Sequence, residues 1–490
     1  MAHTRKIRFI EPRSREGRPF NAWIRHWPLL GPITLATILH ERGFDAGVYN
    51  ENISGPVAEN RQAYQDICSA DVVGISIMTS TAMRGYTLAG QIRRDAPQAT
   101  IVFGGVHATF MPEEALAYGD LVVCGEGESV IEAIARGEIR QGIIQAQPLE
   151  DLDAIPTLNH FLLRDFDRVL IHNLRRASYE LPVMTSRGCP SECTYCSVAR
   201  MFGRRVRRQS LDKAYHDLCR YYEQGFRHFF FYDDNFTADR KWTRELLERV
   251  GPMNIRFNAQ TRVDFPWQDA VRTQLDKPLL AAMTRAGGDV LYIGYETIDQ
   301  ATATQWHKGY RGSGELRDRL KEDTKVLHDS GFWIHAMFVM GPQHTPDTAD
   351  QILQFARQSK IETLQISILT PMPGTPLFQE MRPHLMFTDF PSDWDLYDGT
   401  HCVYSNSQMG LETLQRTVLS AHRRYYRWCG WSIPRVRAIL RSSDSLPEKL
   451  AMLWTHYRIA RTTMTQWRDE MKRFLESVRL RTAGSNAQTT

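Results

Sequence analysis

The segment Gly188-Cys189-Pro190-Ser191-Glu192-Cys193-Thr194-Tyr195-Cys196 constrains this chain more than any other. It spaces three thiols four and three residues apart in one loop, directly after the apolar run Val183 to Ser186, which reads as a strand. Soft thiolates at this spacing suit iron–sulfur ligation, and three of them leave one iron of a cluster open to another ligand. A structural zinc site needs a fourth ligand. None of Cys68, Cys124, Cys219, Cys402 and Cys429 has a partner at metal spacing, and neither His172 nor His216 lies at finger spacing. Eight cysteines in 490 residues do not make a disulfide framework, so the tight group reads as metal-binding in a reducing compartment.

Strands and helices alternate on both sides of this loop. From Lys6 to Gly142, apolar strands at Ile7–Ile10, Asp45–Tyr49, Asp71–Ile77, Thr100–Phe103 and Leu121–Val123 are separated by helical stretches such as Pro32–Gly43 and Ala82–Asp95. That alternation specifies a parallel sheet covered by helices, with ligands expected on the loops after the strands. Those loops carry Ser76, Thr79, Ser80 and Thr81, then Gly104, Gly105, His107 and Thr109, then Gly125, Glu126, Gly127 and Glu128. A Pro-containing stretch of weak periodicity, residues 147–181, reads as a linker. Alternation then resumes through strands near Phe229–Tyr232, Ile255–Gln260, Val290–Tyr295, Trp333–Met340 and Thr363–Leu369, which suggests a partial (β/α) barrel.

The domains expected are therefore α/β over 1–146, a linker over 147–181, a barrel over 182–385 and a mainly helical region over 386–490. From Ala421 onward there are fourteen Lys and Arg against five Asp and Glu, although the whole chain carries only +4. With Trp428, Trp431, Trp454 and Trp467 among its arginines, this end is either a helical appendix packed on the body or a surface for an anionic partner such as a membrane. No apolar stretch is long enough to span a bilayer, and Met1–Ile10 runs into a strand without a signal-peptide core, so a cytoplasmic location is expected.

The cysteine loop, with Tyr195 before its last cysteine, resembles the C-x3-C-x2-C loop of the radical S-adenosylmethionine (SAM) enzymes. The first stretch resembles the B12-binding domain that precedes the barrel in the cobalamin-dependent branch. The shared marks are Pro28-Leu29-Leu30-Gly31-Pro32, Gly74-Ile75-Ser76, Gly104-Gly105-Val106-His107-Ala108-Thr109 and Gly125-Glu126-Gly127-Glu128. The resemblance implies a flavodoxin-like cobalamin-binding fold, then a (β/α)6 barrel holding a [4Fe–4S] cluster on Cys189, Cys193 and Cys196. It further implies that SAM chelates the open iron and is cleaved to a 5′-deoxyadenosyl radical.

Carried over residue by residue, the resemblance gives SAM contacts at Tyr195, Asp234, Asn235, Arg262 and Glu296, and an adenine-side loop at Pro371–Pro376. Local alternatives stay open: an N-cap at Asp234-Asn235, a surface pair for Arg262–Asp264, and a plain turn at Pro373-Gly374. Cobalamin contacts fall on Ser76, Thr79, Ser80, Gly104, Gly105, His107, Gly125 and Glu126, with His107 either on the corrin or capping local backbone. Asp233, Tyr292 and Tyr295 are either proton donors to substrate or packing residues. No Asp-x-His-x-x-Gly occurs in the first stretch, so cobalamin is expected base-off without a histidine ligand.

The activity implied is cobalamin-dependent methylation of an unactivated carbon in a natural-product or lipid-like substrate. The alternative is a radical cyclase, dehydratase or rearrangement enzyme, working with or without bound cobalamin. An electron donor of flavodoxin or ferredoxin type is implied as partner. Nucleic acid is not expected, because the further N-terminal cysteines and terminal RNA-binding barrel of the RNA methylthiotransferases are missing.

Overall fold

The computed structural model describes residues 5–172, 176–426, 440 and 445–487. Short runs of branched and aromatic residues build two parallel sheets; the inner strands of the first are buried on both faces, and those of the second alternate between buried and half-buried residues. The first contains β1 (Lys6–Glu11), β2 (Asp45–Asn50), β3 (Val72–Ser76), β4 (Thr100–Gly104), β5 (Leu121–Cys124) and β6 (Gly142–Gln145). Its order, β2-β1-β3-β4-β5-β6, is the flavodoxin-like one with an added edge strand. The order reverses between β1 and β3, so a crevice opens beyond their carboxyl ends, the standard ligand position in such sheets.

The second sheet begins with β7 (Glu180–Val183). A small antiparallel pair follows, β8 (Ser186–Arg187) with β9 (Arg207–Arg208), and the cysteine loop lies between its strands. The sheet continues with β10 (His228–Phe231), β11 (Arg256–Thr261), β12 (Gly288–Glu296), β13 (Trp333–Met340) and β14 (Thr363–Ile368), in sequence order and all parallel. This is an open six-stranded barrel wall.

One sequence expectation needs correction here. The first barrel strand is Glu180–Val183, and Ser186 belongs to β8 instead. Glu180 sits inside the strand because it is buried and paired with His26 at 3.6 Å and with the Asn258 amide, so its charge does not mark a loop. Within the stretch read as linker, Leu163 bridges Val48 at the edge of the first sheet, and a helix runs over Phe166–His172.

The domains are joined through charge and aromatic packing. Glu126, after β5, accepts from Arg187 at 2.6 Å and from both terminal nitrogens of Arg207, while Glu128 takes the other end of Arg187 at 2.6 Å. Arg187 immediately precedes Gly188-Cys189, so the acidic loop of the first domain is fastened to the stem of the cysteine loop. Trp27 leaves the first domain and enters the barrel, packing on Phe230 at 4.8 Å and on Tyr292 at 5.8 Å.

The C-terminal region packs on both domains. Trp394 donates to Glu114 at 3.0 Å and stands edge-on to His107 at 5.2 Å. Arg18, Asp398 and His401 form a buried group beside it, with Arg18 3.2 Å from Asp398. In the helix Leu446–Ala487, Trp467 packs on His422 and Phe474 on Phe387 and His401, which supports a packed appendix over this stretch. Trp454 is exposed, and Trp428 and Trp431 lie outside the described residues. Among the described residues no helix is long and apolar enough to cross a membrane.

Candidate active site

Gly188 adopts φ +94°, and a Cβ there would lie 2.6 Å from the Arg205 carbonyl oxygen. Only glycine lets the loop turn so tightly against the strand that follows it. The Cys189 amide donates to Gly203 at 3.3 Å and the Cys196 amide to Cys193 at 3.2 Å. The Thr194 amide donates to Trp306, and the Thr194 carbonyl accepts from Leu377, both at 3.1 Å. The Tyr195 ring meets Trp306 edge-on at 5.8 Å. The loop is thus held from the far side of the barrel.

All three thiols are free and partly accessible. Burial, with Cys193, Asp234 and Cys189 nearby, pushes Cys196 up to about 12, so it stays a thiol unless a cation replaces its proton. Among the described residues no three His, Cys, Asp or Glu side chains converge as one metal ion would require. A cubane carries its thiolates on separate irons, and so needs a wider set than a single ion does.

Asp234 follows β10, lies near Cys196 and is exposed to solvent. The protein packed around its carboxyl and the neighbouring Asp233 charge raise its pKa to about 7. Asp233 is fully buried, accepting from the Thr185 hydroxyl at 2.9 Å and from the Ser186 hydroxyl, so it is a packing residue and no donor to substrate. Asn235 accepts weakly from Thr237 and Thr261 and does not cap the next helix; Asp239 does, accepting from Trp242 at 3.0 Å.

Arg262 grips Asp264 with two nitrogens, at 3.0 and 3.1 Å, and reaches toward the Ser191 hydroxyl of the cysteine loop at 3.4 Å. Asp264 is buried, which corrects the alternative of a surface pair. Glu296 sits at φ +57° past a bulge in β12, a strained conformation for a side-chain-bearing residue. Its carboxylate folds back over Gly294, where an added Cβ would lie 2.4 Å from Oε1, and meets Lys308 at 3.2 Å. The glycine of Gly294-Tyr295-Glu296 is there to make room for that carboxylate. Tyr295 itself is buried, its hydroxyl 2.7 Å from Thr324. The loop Pro371–Pro376 is a turn whose Thr375 caps the following helix, with Gly374 under the Phe110 ring of the first domain.

On the first domain, Gly104 has open space where a side chain would stand, and Ser76 and Ser80 are half-buried. His107 is fully buried with Thr79 at 3.4 Å and Glu114 at 3.2 Å, beneath Trp394. Both of its nitrogens are engaged within the first domain, and Trp394 reaches the same Glu114 from the C-terminal region. The Glu126 carboxylate is likewise committed to Arg187 and Arg207. Sequence reasoning passed over Glu11, the last residue of β1, which is 1% exposed at the crevice. Its Oε2 accepts from Asn50 at 2.8 Å, and its Oε1 has no hydrogen bond.

Residues 26–135 match the B12 binding domain model and residues 183–356 match that of the radical SAM superfamily. The chain belongs to the B12-binding radical SAM enzymes. This radical SAM enzyme is 26% identical to bacteriochlorophyllide d C-12(1)-methyltransferase of Chlorobaculum tepidum, over 86% of this chain and 88% of that protein. It is 25% identical to anaerobic magnesium-protoporphyrin IX monomethyl ester cyclase of Rubrivivax gelatinosus, over 86% of this chain and 77% of that one. In fold it is similar to the radical SAM methyltransferase TsrM of Kitasatospora setae, with TM-score 0.64 and 14% identity over 96% of this chain and all of that one.

The two domains bring a [4Fe–4S] cluster, SAM and cobalamin as cofactors. The residues present fit these groups: three free thiols on one pinned loop for the cluster, and an orphaned buried carboxyl oxygen with open space at Gly104 for the corrinoid.

Proposed function

We propose that this radical SAM enzyme transfers a methyl group to an unactivated carbon of a flat, largely apolar natural product or lipid. The observation that carries it is the join at Arg187, which brings the Gly125–Glu128 loop of the B12-binding domain to the stem of the cysteine loop. Similarity to a chlorin methyltransferase supports the reaction. An aromatic wall inside the barrel, Trp27, Phe230 and Tyr292 with His335 4.9 Å from Tyr292, supports the substrate class. When bound, the cluster and SAM supply a carbon radical, and the corrinoid supplies the methyl group.

In this proposal Cys189, Cys193 and Cys196 hold the cluster, and the chain's other residues bind and orient. Arg262, kept cationic and aimed by Asp264, takes the SAM carboxylate beside Ser191. Asp234 accepts from the SAM ammonium, with Asn235 behind it. Glu296, steadied by Lys308, accepts from the ribose or the amino group. The Tyr195–Trp306 contact closes the outer side of the loop and keeps water from the radical. Electrons come from an acidic carrier of flavodoxin or ferredoxin type, for which the exposed Arg200, Arg204 and Arg205 beside the cluster loop give a complementary surface. The work is done in the cytoplasm, where such thiols stay reduced.

Similarity to the cyclase supports a second reading, ring formation without methyl transfer. Methyl-labelled SAM separates the two when chlorin and lipid candidates are incubated with the reconstituted enzyme. A methylase yields labelled product with both S-adenosylhomocysteine and 5′-deoxyadenosine. Label that leaves SAM only as methionine while substrate is consumed ends the methylation proposal in favour of cyclisation.

A further inference from the structure

Among the described residues, Glu11 is an acid buried where burial has no evident structural return. It closes β1 at the point where the strand order reverses, so its side chain stands in the crevice of the first domain. Three elements bring polar groups to it. From β2, Asn50 donates to Oε2 at 2.8 Å; before the helix Leu30–Glu41, the Leu29 amide lies close; and from the end of β10 in the barrel, Tyr232 is near enough to feel its charge. Among the described residues, the polar groups that act on its charge are the Asn50 amide and the Leu29 backbone. Oε1 remains without a partner. A buried polar atom left unpaired costs about 1–3 kcal/mol, so native structures normally fill such a position.

We propose that Glu11 is a positioning residue for the corrinoid: as a neutral carboxylic acid it donates from Oε1 to an acceptor on the cofactor, such as a side-chain amide carbonyl, in the space between the two domains. The inference rests on the cobalamin reading above and adds to it a residue and a protonation state. Burial drives the group into its neutral form, its pKa pushed up to about 8 despite the Asn50 donor and the nearby Leu29 amide. A carboxylate at this place could only accept, and would face a carbonyl lone pair with its own.

Protonation of Glu11 is then part of corrinoid binding, and affinity must fall as pH rises through the pKa of the acid. The test is a visible-spectrum titration of the full-length, cluster-loaded chain with methylcobalamin, whose carbon ligand does not titrate, from pH 7 to 9.5. For the wild type, affinity should be level below about pH 8 and then weaken by about tenfold per pH unit. Glu11→Gln, which keeps a neutral donor, should bind with similar affinity at pH 7 and show no pH dependence. Glu11→Ala should bind roughly tenfold more weakly at pH 7. If the alanine variant does not fold, the wild-type and glutamine profiles still decide the matter. A wild-type profile that stays level to pH 9.5, or an alanine variant that binds as tightly as the wild type, overturns the role of Glu11. A wild-type chain that takes up no methylcobalamin at pH 7 overturns the cobalamin reading itself.

Discussion

Cys196→Ala is expected to abolish 5′-deoxyadenosine formation and the visible absorbance of the cluster together. Its thiol lies in the same loop as those of Cys189 and Cys193, and its amide donates to Cys193, so it helps to shape the loop as well as to supply a ligand. With two thiolates left, a cluster loses the three-ligand arrangement that holds it while keeping one iron open. The same result is expected for alanine at Cys189 or Cys193. Cys219 lies on the helix Leu211–Glu223, away from this loop, and Cys219→Ala should leave both signals intact. Anaerobic reconstitution, iron analysis and product chromatography read the outcome. A Cys196→Ala protein that keeps cluster absorbance and cleaves SAM would remove the loop from the chemistry.

Glu126→Ala should produce the largest loss of stability among single substitutions at the domain join. The carboxylate is 2% exposed, and the Arg187 and Arg207 side chains are 4% exposed each. Burial raises the carboxyl's pKa, but Arg207 and Arg187 outweigh it and hold the group below its ordinary value. Its contribution is therefore complete at neutral pH and is lost as pH falls through the depressed value. Taking the carboxylate away leaves Arg207 buried without its counter-charge, whereas Arg187 keeps Glu128. Breaking a buried pair in this way costs about 3–5 kcal/mol. The first thermal transition should fall by roughly 10 °C, on the scale of a few degrees per kcal/mol. Replacing Glu126 and Arg207 together with apolar residues should recover part of the loss, because no unpaired charge then remains. An unchanged melting profile for Glu126→Ala would mean that the domains are held otherwise.

Much of this architecture was legible in the sequence because parallel strands buried on both faces are short apolar runs between punctuating loops. Ile7–Ile10 and Leu121–Val123 show it plainly. β6 escaped because it is an edge strand with alternate residues exposed, and β8 and β9 escaped because they are two-residue strands made of Ser and Arg. Strand β7 was displaced by three residues because Glu180 is charged, and only its distant partners, His26 and Asn258, explain its burial.

The candidate site divides along the same line. The cysteines, Asp234, Arg262 and Glu296 were legible from local motifs after strands. The partners of Glu126 lie 61 and 81 residues away, and Trp394 meets Glu114 across 280 residues. No local pattern announces such pairings, so the sequence shows neither the arginines that hold Glu126 nor the Glu114 and Trp394 that pack on His107. Glu11 is the opposite case. In sequence it is one acid after a strand, and only the unpartnered oxygen in a closed crevice sets it apart.

The central claim is that one chain carries both a radical-generating cluster and a corrinoid. The most direct measurement is anaerobic reconstitution with iron, sulfide and hydroxocobalamin, followed by gel filtration, metal analysis and a visible spectrum of the protein peak. The account expects one cluster and one base-off corrinoid per chain, with the Cys196→Ala variant keeping the corrinoid and losing the cluster. A wild-type peak that carries the cluster but stays free of cobalt, with excess hydroxocobalamin present, would contradict it.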